Sequence, residues 1–256
     1  MLRKIVEIYN YRQMVFGLVH RELRGRYKGS VLGFLWTFLN PLLQLCVYTL
    51  LFSVILDRGV ANYPVFLFIG LVPWLFFSSC LSAGCTSVLG QGPMVTKIYF
   101  PREVLPISFV VGAFVNMLYC FVVLFGILIV TGFGFNFLAL LLLPVIMVVE
   151  FLLCLGATLI FSAVTVYVRD LAHFLGIITM LWQFLTPIMY ETPEKYRHLF
   201  NLNPMTSVIE CYRAVLYYKQ IPNLSSLWSA VLIGVLSVVI GELVFSKLQK
   251  GFAEEL

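Results

Sequence analysis

Ionisable residues are sparse in this chain, so the ones embedded in apolar sequence invite a chemical question. Glu150 stands inside "PVIMVVEFLLCL". A charge at the centre of a bilayer costs ~2.5–3.5 kcal/mol on insertion scales, so a carboxyl there faces protein or water, or is protonated. Facing water, it would line a path or relay protons. Facing protein, it is a hydrogen-bonded contact between helices, and a single such residue favours the contact. Glu242, near the end of the last apolar stretch, also reads as structural. A second feature is "KIYFPREVLP" at 97–106, which gathers Lys97, Arg102 and Glu103 beside Pro101 and Pro106 between two long apolar runs. A third is Glu210 with Arg213, three residues apart and so within pairing distance on a helix.

Other chemistry is absent from the sequence. No GxxxxGK[ST] loop, HExxH, GxSxG or paired-acid motif occurs, and the three histidines, His20, His173 and His198, are scattered. An enzyme embedded in a membrane needs a cluster of Asp, His, Arg or Lys near one surface, and none is evident. Of six cysteines, Cys46, Cys80, Cys85, Cys120 and Cys154 lie in apolar stretches as small packing residues; Cys211 stands alone in a polar one. There is no CxxC, so neither zinc nor redox chemistry is indicated. No metal, bound cofactor or nucleic-acid partner is expected.

The elements that carry these residues follow from composition. Of 256 residues, 61% are hydrophobic and 11% charged, with mean hydropathy +0.97, against about 25% charged in soluble domains. The chain reads as an all-α integral membrane protein forming a single domain over 1–256. Residues 3–28 pattern as an amphipathic helix in the membrane interface, with Ile5, Ile8, Val15, Val19 and Leu23 on one face and Gln13, Arg21, Arg24 and Lys28 opposite. Arg12 breaks that apolar face. The segment is too polar for a cleavable signal peptide. Six spans are expected at about 33–56, 65–89, 104–130, 137–167 (tilted or kinked at Pro144), 171–190 and 227–245. Segment 191–226 holds two short, re-entrant-like helices. One starts at Pro193, the other at Asn203 as cap with Pro204 in first position.

Positive charge orients the spans. With six crossings both termini share a side. That side receives Arg3, Lys4, Arg12, Arg21, Arg24, Arg26, Lys28, Lys97, Arg102, Arg169, Lys247 and Lys250. The other receives Arg58, Lys195, Arg197, Arg213 and Lys219. Both termini, "KIYFPREVLP" and "VRDL" (168–171) are therefore expected in the cytoplasm, and 191–226 outside. Phe34, Phe38, Tyr48 and Phe52 read as one stripe of the first span. Trp182, Phe184 and Tyr190 mark the fifth, and Trp74, Phe76 and Phe77 the second. Aromatics at these places serve lipid packing and interfacial belts, or a conduit whose ring faces stack on sugars. Gly25, Gly29 and Gly33, spaced at four, fit either a bend or a close helix contact.

Six stretches in order resemble the permease subunits of ABC-2-type polysaccharide exporters, the Wzm/KpsM-like proteins, with teichoic-acid exporters as relatives. They are "RELRGRYKGSVLGFLWTFLNPLLQLCVYTLLFSVIL", "FLFIGLVPWLFFSSCL", "KIYFPREVLP", "VYVRDL", "TPIMY" and "NLNPMTSVIECYRAVLY", covering nearly the whole chain. The resemblance implies two copies of this chain joined by two separate ATPase subunits that hold ATP and Mg. A lipid-linked polysaccharide would move from cytoplasm to outside across the bacterial inner membrane. It implies that the segment near Gly92–Glu103, within 90–104, is a coupling helix on the ATPase. Ile98, Tyr99 and Phe100 would insert into the partner, and Lys97, Arg102 and Glu103 would fix register, Pro101 separating the helix from the next span. The N-terminal helix (1–30) is the other expected contact. The first and fifth spans would line the conduit with Phe34, Phe38, Tyr48, Phe52, Trp182, Phe184 and Tyr190. The helices of 191–226 would form an outer gate with Tyr196, Glu210, Arg213 and Tyr217, followed by the sixth span and cytoplasmic tail (227–256). The chain lacks the long N-terminal insertion of teichoic-acid exporters, which points toward O-antigen or capsule. The alternatives are a permease for teichoic acid, a drug or a lipid, and a membrane enzyme acting on lipid-linked sugars.

Overall fold

The structure is a computed structural model that describes residues 2–25, 29–55 and 60–256. Arg26, Lys28 and Arg58 lie outside the described residues, as does the far end of the first expected span.

Among the described residues all regular structure is helical. Helices α1 (Leu2–Asn10) and α2 (Arg12–Gly25) are separated at Tyr11. The break falls beside Arg12, whose guanidinium lies 4.8 Å from the Tyr9 ring. α2 does not lie free: it packs along α6, burying Leu18 and Val19. Gly29 and Gly33 then adopt φ of +85° and +48°, and no atom comes within 4 Å of a β-carbon built at Gly25, Gly29 or Gly33. The glycine series therefore serves a bend, since only glycine takes these angles without strain.

The remaining helices are α3 (Trp36–Thr49, led by a tight turn at Gly33–Leu35 and continued by wider turns at Leu50–Ile55), α4 (Tyr63–Ser82), α5 (Gly92–Lys97), α6 (Val104–Val130), α7 (Phe137–Leu140), α8 (Leu143–Tyr167), α9 (Leu171–Leu185), α10 (Arg197–Phe200), α11 (Pro204–Leu216), α12 (Leu224–Leu248) and α13 (Phe252–Glu255). α4 is apolar all round because it is surrounded all round. It touches α3, α6, α8, α9 and α11, and buries Phe66, Phe68, Trp74 and Phe77. The expected break at Pro144 is present: α7 ends at Leu140 and α8 begins with Pro144 in its first turn.

α8 and α12 lie closest. A β-carbon built on Gly241 would come 2.6 Å from the Gly156 carbonyl oxygen; one on Gly234, 3.1 Å from the Val149 carbonyl oxygen; one on Gly156 would overlap the Ser237 backbone. Small residues permit this approach where lipid supplies no hydrophobic drive between helices.

Among the described residues, five helical stretches are long and apolar enough to cross a membrane: Gly33–Ser53, Tyr63–Thr86, Val104–Val130, Phe137–Tyr167 and Leu224–Glu255. The expected fifth crossing differs. α9 has 15 residues, about 22 Å of helix against a hydrocarbon core of ~30 Å. It stops because Pro187 disfavours helical geometry at Thr186, which is extended.

Candidate functional site

Where α9 stops, "TPIMY" continues at the level of buried apolar sequence, with Ile188 and Met189 fully enclosed. Non-helical backbone in such a place must have its carbonyls satisfied by protein. Arg213 does this. Its Nη1 donates to the Pro187 and Tyr190 carbonyls at 2.6 and 3.3 Å, and its Nη2 to Ile188 at 2.6 Å. The guanidinium also stacks 3.6 Å from the Phe66 ring centroid. Tyr63 donates to the fourth carbonyl, Met189, at 2.9 Å. The α11 cap is as the sequence indicates, with Asn203 accepting from the Met205 N–H; Asn203 also donates to Thr186 Oγ1 at 2.9 Å.

The expected Glu210–Arg213 pair is not made. Glu210 instead accepts from Thr192 Oγ1 at 2.8 Å. Both residues line an open cleft of about 530 Å³ with Glu191, Glu194, Arg197 and Tyr218. Tyr196 stands at the surface beside Lys195. Tyr217 donates to the Ala61 carbonyl and stacks on Phe133 at 5.5 Å. Glu150 is the interhelix contact its isolation suggested, fully buried and accepting from the Tyr212 hydroxyl at 2.7 Å.

The charged segment between α4 and α6 splits into two faces. α5 ends at Lys97, Ile98 is extended, and α6 begins at Val104, so Pro101 does part the short helix from the long one. Lys97, Ile98 and Tyr99 are exposed, Tyr99 at 87%. Phe100 is not: at 5% it belongs to a small apolar core with Val95, Val104 and Phe252. Arg102 and Glu103 are turned inward as well. Arg102 donates to the Gln249 carbonyl, and Glu103 accepts from Gln249 Nε2 at 2.9 Å. After α5 the chain leaves Ile98 and Tyr99 outside and turns Phe100 inward.

At 100° per residue Phe34, Phe38, Tyr48 and Phe52 fall within about 80° of one another, with Phe34 and Phe52 in phase, and the four rings meet different neighbours. Phe34 meets Phe38 and Tyr119 edge to face at 5.3 and 5.1 Å. Tyr48 accepts from Gln183 Nε2 of α9 at 3.1 Å, and Phe52 lies 6.4 Å from Tyr63. Trp182 packs into α4 against Phe77 at 5.4 Å, whereas Phe184 is 55% exposed. Tyr190 donates to the Phe184 carbonyl at 2.7 Å.

A family model described as "ABC-2 type transporter" matches residues 13–217. The chain belongs to the ABC-2 type transporter family. It is 36% identical over 264 residues to the O-antigen export system permease protein RfbA of Myxococcus xanthus, covering 100% of each chain. It is 31% identical over 242 residues to RfbA of Klebsiella pneumoniae, covering 93% of each. It is 29% identical over 212 residues to the polysialic acid transport protein KpsM of Escherichia coli, covering 78% of this chain and 79% of that one.

Two features of this ABC-2 chain escaped sequence reading. A pocket of about 230 Å³ between α3, α4 and α6 gathers Thr37, Asn40, Gln44, Ser79 and Asn116 with Trp36 and Phe76. Each polar residue is ordinary alone, though Asn40 and Gln44 share a face at helical spacing, which was the available signal. The other is the C-terminal tail, which reaches the charged segment and had no signal beyond Phe252 standing in polar sequence.

Proposed function

We propose that this chain is the membrane-spanning subunit of an ATP-driven exporter that carries a lipid-linked polysaccharide, of O-antigen or capsular type, from the cytoplasm across the bacterial inner membrane. The observation that carries the reading is the end-to-end similarity to an O-antigen export permease. Two copies of the chain pair with two copies of a separate ATPase, which holds ATP and Mg; this chain binds neither. Both termini and α5 face the cytoplasm, in keeping with the distribution of Lys and Arg. α9 and the extended "TPIMY" together make the remaining crossing, with Arg213 supplying the backbone partners that lipid cannot.

In this arrangement α5 is the element through which hydrolysis is felt. Lys97, Ile98 and Tyr99 offer an exposed apolar knob with one cation at the exit of a short helix, suited to a groove in the ATPase. α2 lies against α6 beside it, at the cytoplasmic membrane surface. The second copy packs on the exposed face of α9, where Phe174, Ile177, Leu181 and Phe184 recur at helical spacing. The seam between two copies of α3 and α9 then forms the conduit, with Phe34, Phe38, Tyr48 and Phe184 in reach of the passing sugars. The cleft bearing Glu210 and Tyr196 is its outer mouth.

The test is reconstitution with a partner ATPase in proteoliposomes. Lipid-linked polysaccharide should stimulate ATP hydrolysis and appear in the lumen, while a drug or a simple lipid should do neither. Chemical turnover of a lipid-linked sugar by the chain alone, with no ATPase bound, would overturn the proposal.

A further inference from the structure

The last eight residues, Gln249–Leu256, fold back under the bundle and touch both cytoplasmic connections that the transport reading requires to move. On one side, Arg102 donates to the Gln249 carbonyl, and Gln249 Nε2 donates to Glu103 at 2.9 Å. On the other, the Tyr167 hydroxyl donates to the Leu248 carbonyl at 2.7 Å, and Arg169 Nη2 to the Glu255 carbonyl at 3.3 Å. Phe252 is the centre of the attachment. It is fully buried, 5.5 Å edge to face from Phe245, 6.2 Å from Tyr167, and 5.8 Å from the Arg102 guanidinium. Gly251 passes so close to Tyr167 that a β-carbon there would stand 2.5 Å from its hydroxyl. Leu256 ends against Gly92, the first residue of α5. The segment lies beyond the residues that the family model matches.

We propose that Gln249–Leu256 is a clamp that ties α5 and the segment 98–103 to the α8–α9 turn, so that a displacement of α5 is delivered to α9 instead of being absorbed in the intervening loops. This rests on the transport reading above. The physical basis is the set of partners. One short segment hydrogen-bonds Arg102 and Glu103 from the first connection and Arg169 from the second, Tyr167 holds the Leu248 carbonyl just before it, and both connections meet a single buried ring. Packed interiors deform little, so elements fastened at several points move together. The clamp stays closed through the cycle: Phe252 has no exposed surface from which to be drawn out, and its ring contacts come from α8, α12 and Arg102 at once. Tyr167, Arg102, Glu103, Gln249 and Phe252 are positioning residues; none is assigned contact with substrate.

Three variants and one ratio test this. The ratio is polysaccharide transported per ATP hydrolysed by the reconstituted exporter, which a change in stability alone leaves intact. Truncation after Leu248 should still bind the ATPase and hydrolyse ATP, while the ratio falls at least about fivefold, the low end of a site-to-site coupling. If truncation prevents assembly, the milder Gln249→Ala with Tyr167→Phe keeps the Phe252 anchor and should lower the ratio by about twofold or more, still within the reach of a coupling energy near RT. The third variant is Gly92→Cys with Leu256→Cys. A β-carbon at Gly92 lies 3.7 Å from that of Leu256, inside the range that a disulfide needs. The bond should form under mild oxidation in membrane vesicles, with each single substitution controlling for native cysteines, and the cross-linked exporter should keep the wild-type ratio. An unchanged ratio in the tail variants, no cross-link, or a cross-link that blocks export would each overturn the clamp. A wild-type exporter that polysaccharide fails to stimulate would instead overturn the transport reading.

Discussion

Arg213 supplies three backbone hydrogen bonds to a stretch of chain that has no helix or sheet to supply its own. Its planar fork is what the geometry uses, and lysine cannot reproduce it. Arg213→Lys should therefore lower the melting temperature of the purified protein clearly, and Arg213→Ala further, at about 1–3 kcal/mol for each carbonyl left unpaired. Glu210→Ala should change it little, since Glu210 touches Thr192 and not Arg213. Equal losses from the two positions, measured by thermal denaturation in detergent, would restore the pairing that their spacing suggested. Spacing along α11 was legible because it is local; so was the Asn203 cap. The Arg213 partners were not, because the carbonyls belong to a segment 23 to 26 residues earlier whose helix ends for reasons of its own.

At the scale of elements, the short helix α5 and its extended exit assign opposite work to neighbouring side chains. Ile98→Ala with Tyr99→Ala should leave the protein folded and inserted while ATP hydrolysis proceeds with less export. Phe100→Ala should act differently: emptying a buried aromatic site costs about 3–5 kcal/mol, so the protein should lose stability whether or not the ATPase is present. Comparing thermal stability with transport per ATP separates the two, and a stable but uncoupled Phe100→Ala would contradict the burial. The proline and the charges announced that this segment interrupts the bundle. Which residues face out depended on where α5 stops and on the arrival of Phe252 from the far end of the chain. Hydrophobic length alone likewise read "TPIMY" as helix, since its residues are apolar, and only the Thr186–Pro187 step carried the warning.

Across the whole molecule, the helices differ in how firmly they are held. α4 is enclosed and α8 is locked to α12 through glycines, whereas α3 and α9 each leave a broad apolar face open. Motion is drawn from elements with few buried contacts, so α3 and α9 are expected to shift against α4 and the glycine-locked middle of α8 and α12, while the ends of these two helices at Tyr167 and Leu248 follow the clamp. Gly156→Leu should prevent this core from forming: the side chain would occupy the Ser237 backbone, and the variant should fail to give a monodisperse peak in detergent. Phe184→Cys should cross-link two copies of the chain in oxidised membranes if the open face of α9 is a shared seam. Its failure to do so, with a Trp228→Cys control on exposed α12 giving the same background, would assign that face to lipid.

The tight seam between α8 and α12 also bears on how the chain is made. A ribosome delivers α8 well before α12, with the α9–α11 region synthesised between them. Until the last helix enters the membrane, Gly156 and its neighbours face lipid across a groove cut for a backbone that has not yet arrived. Docking of α12 on α8 is therefore a lateral step, between helices already inserted. A protein stalled before Leu224 would display that groove to the quality-control machinery of the membrane, a mark of incompleteness that the finished permease conceals.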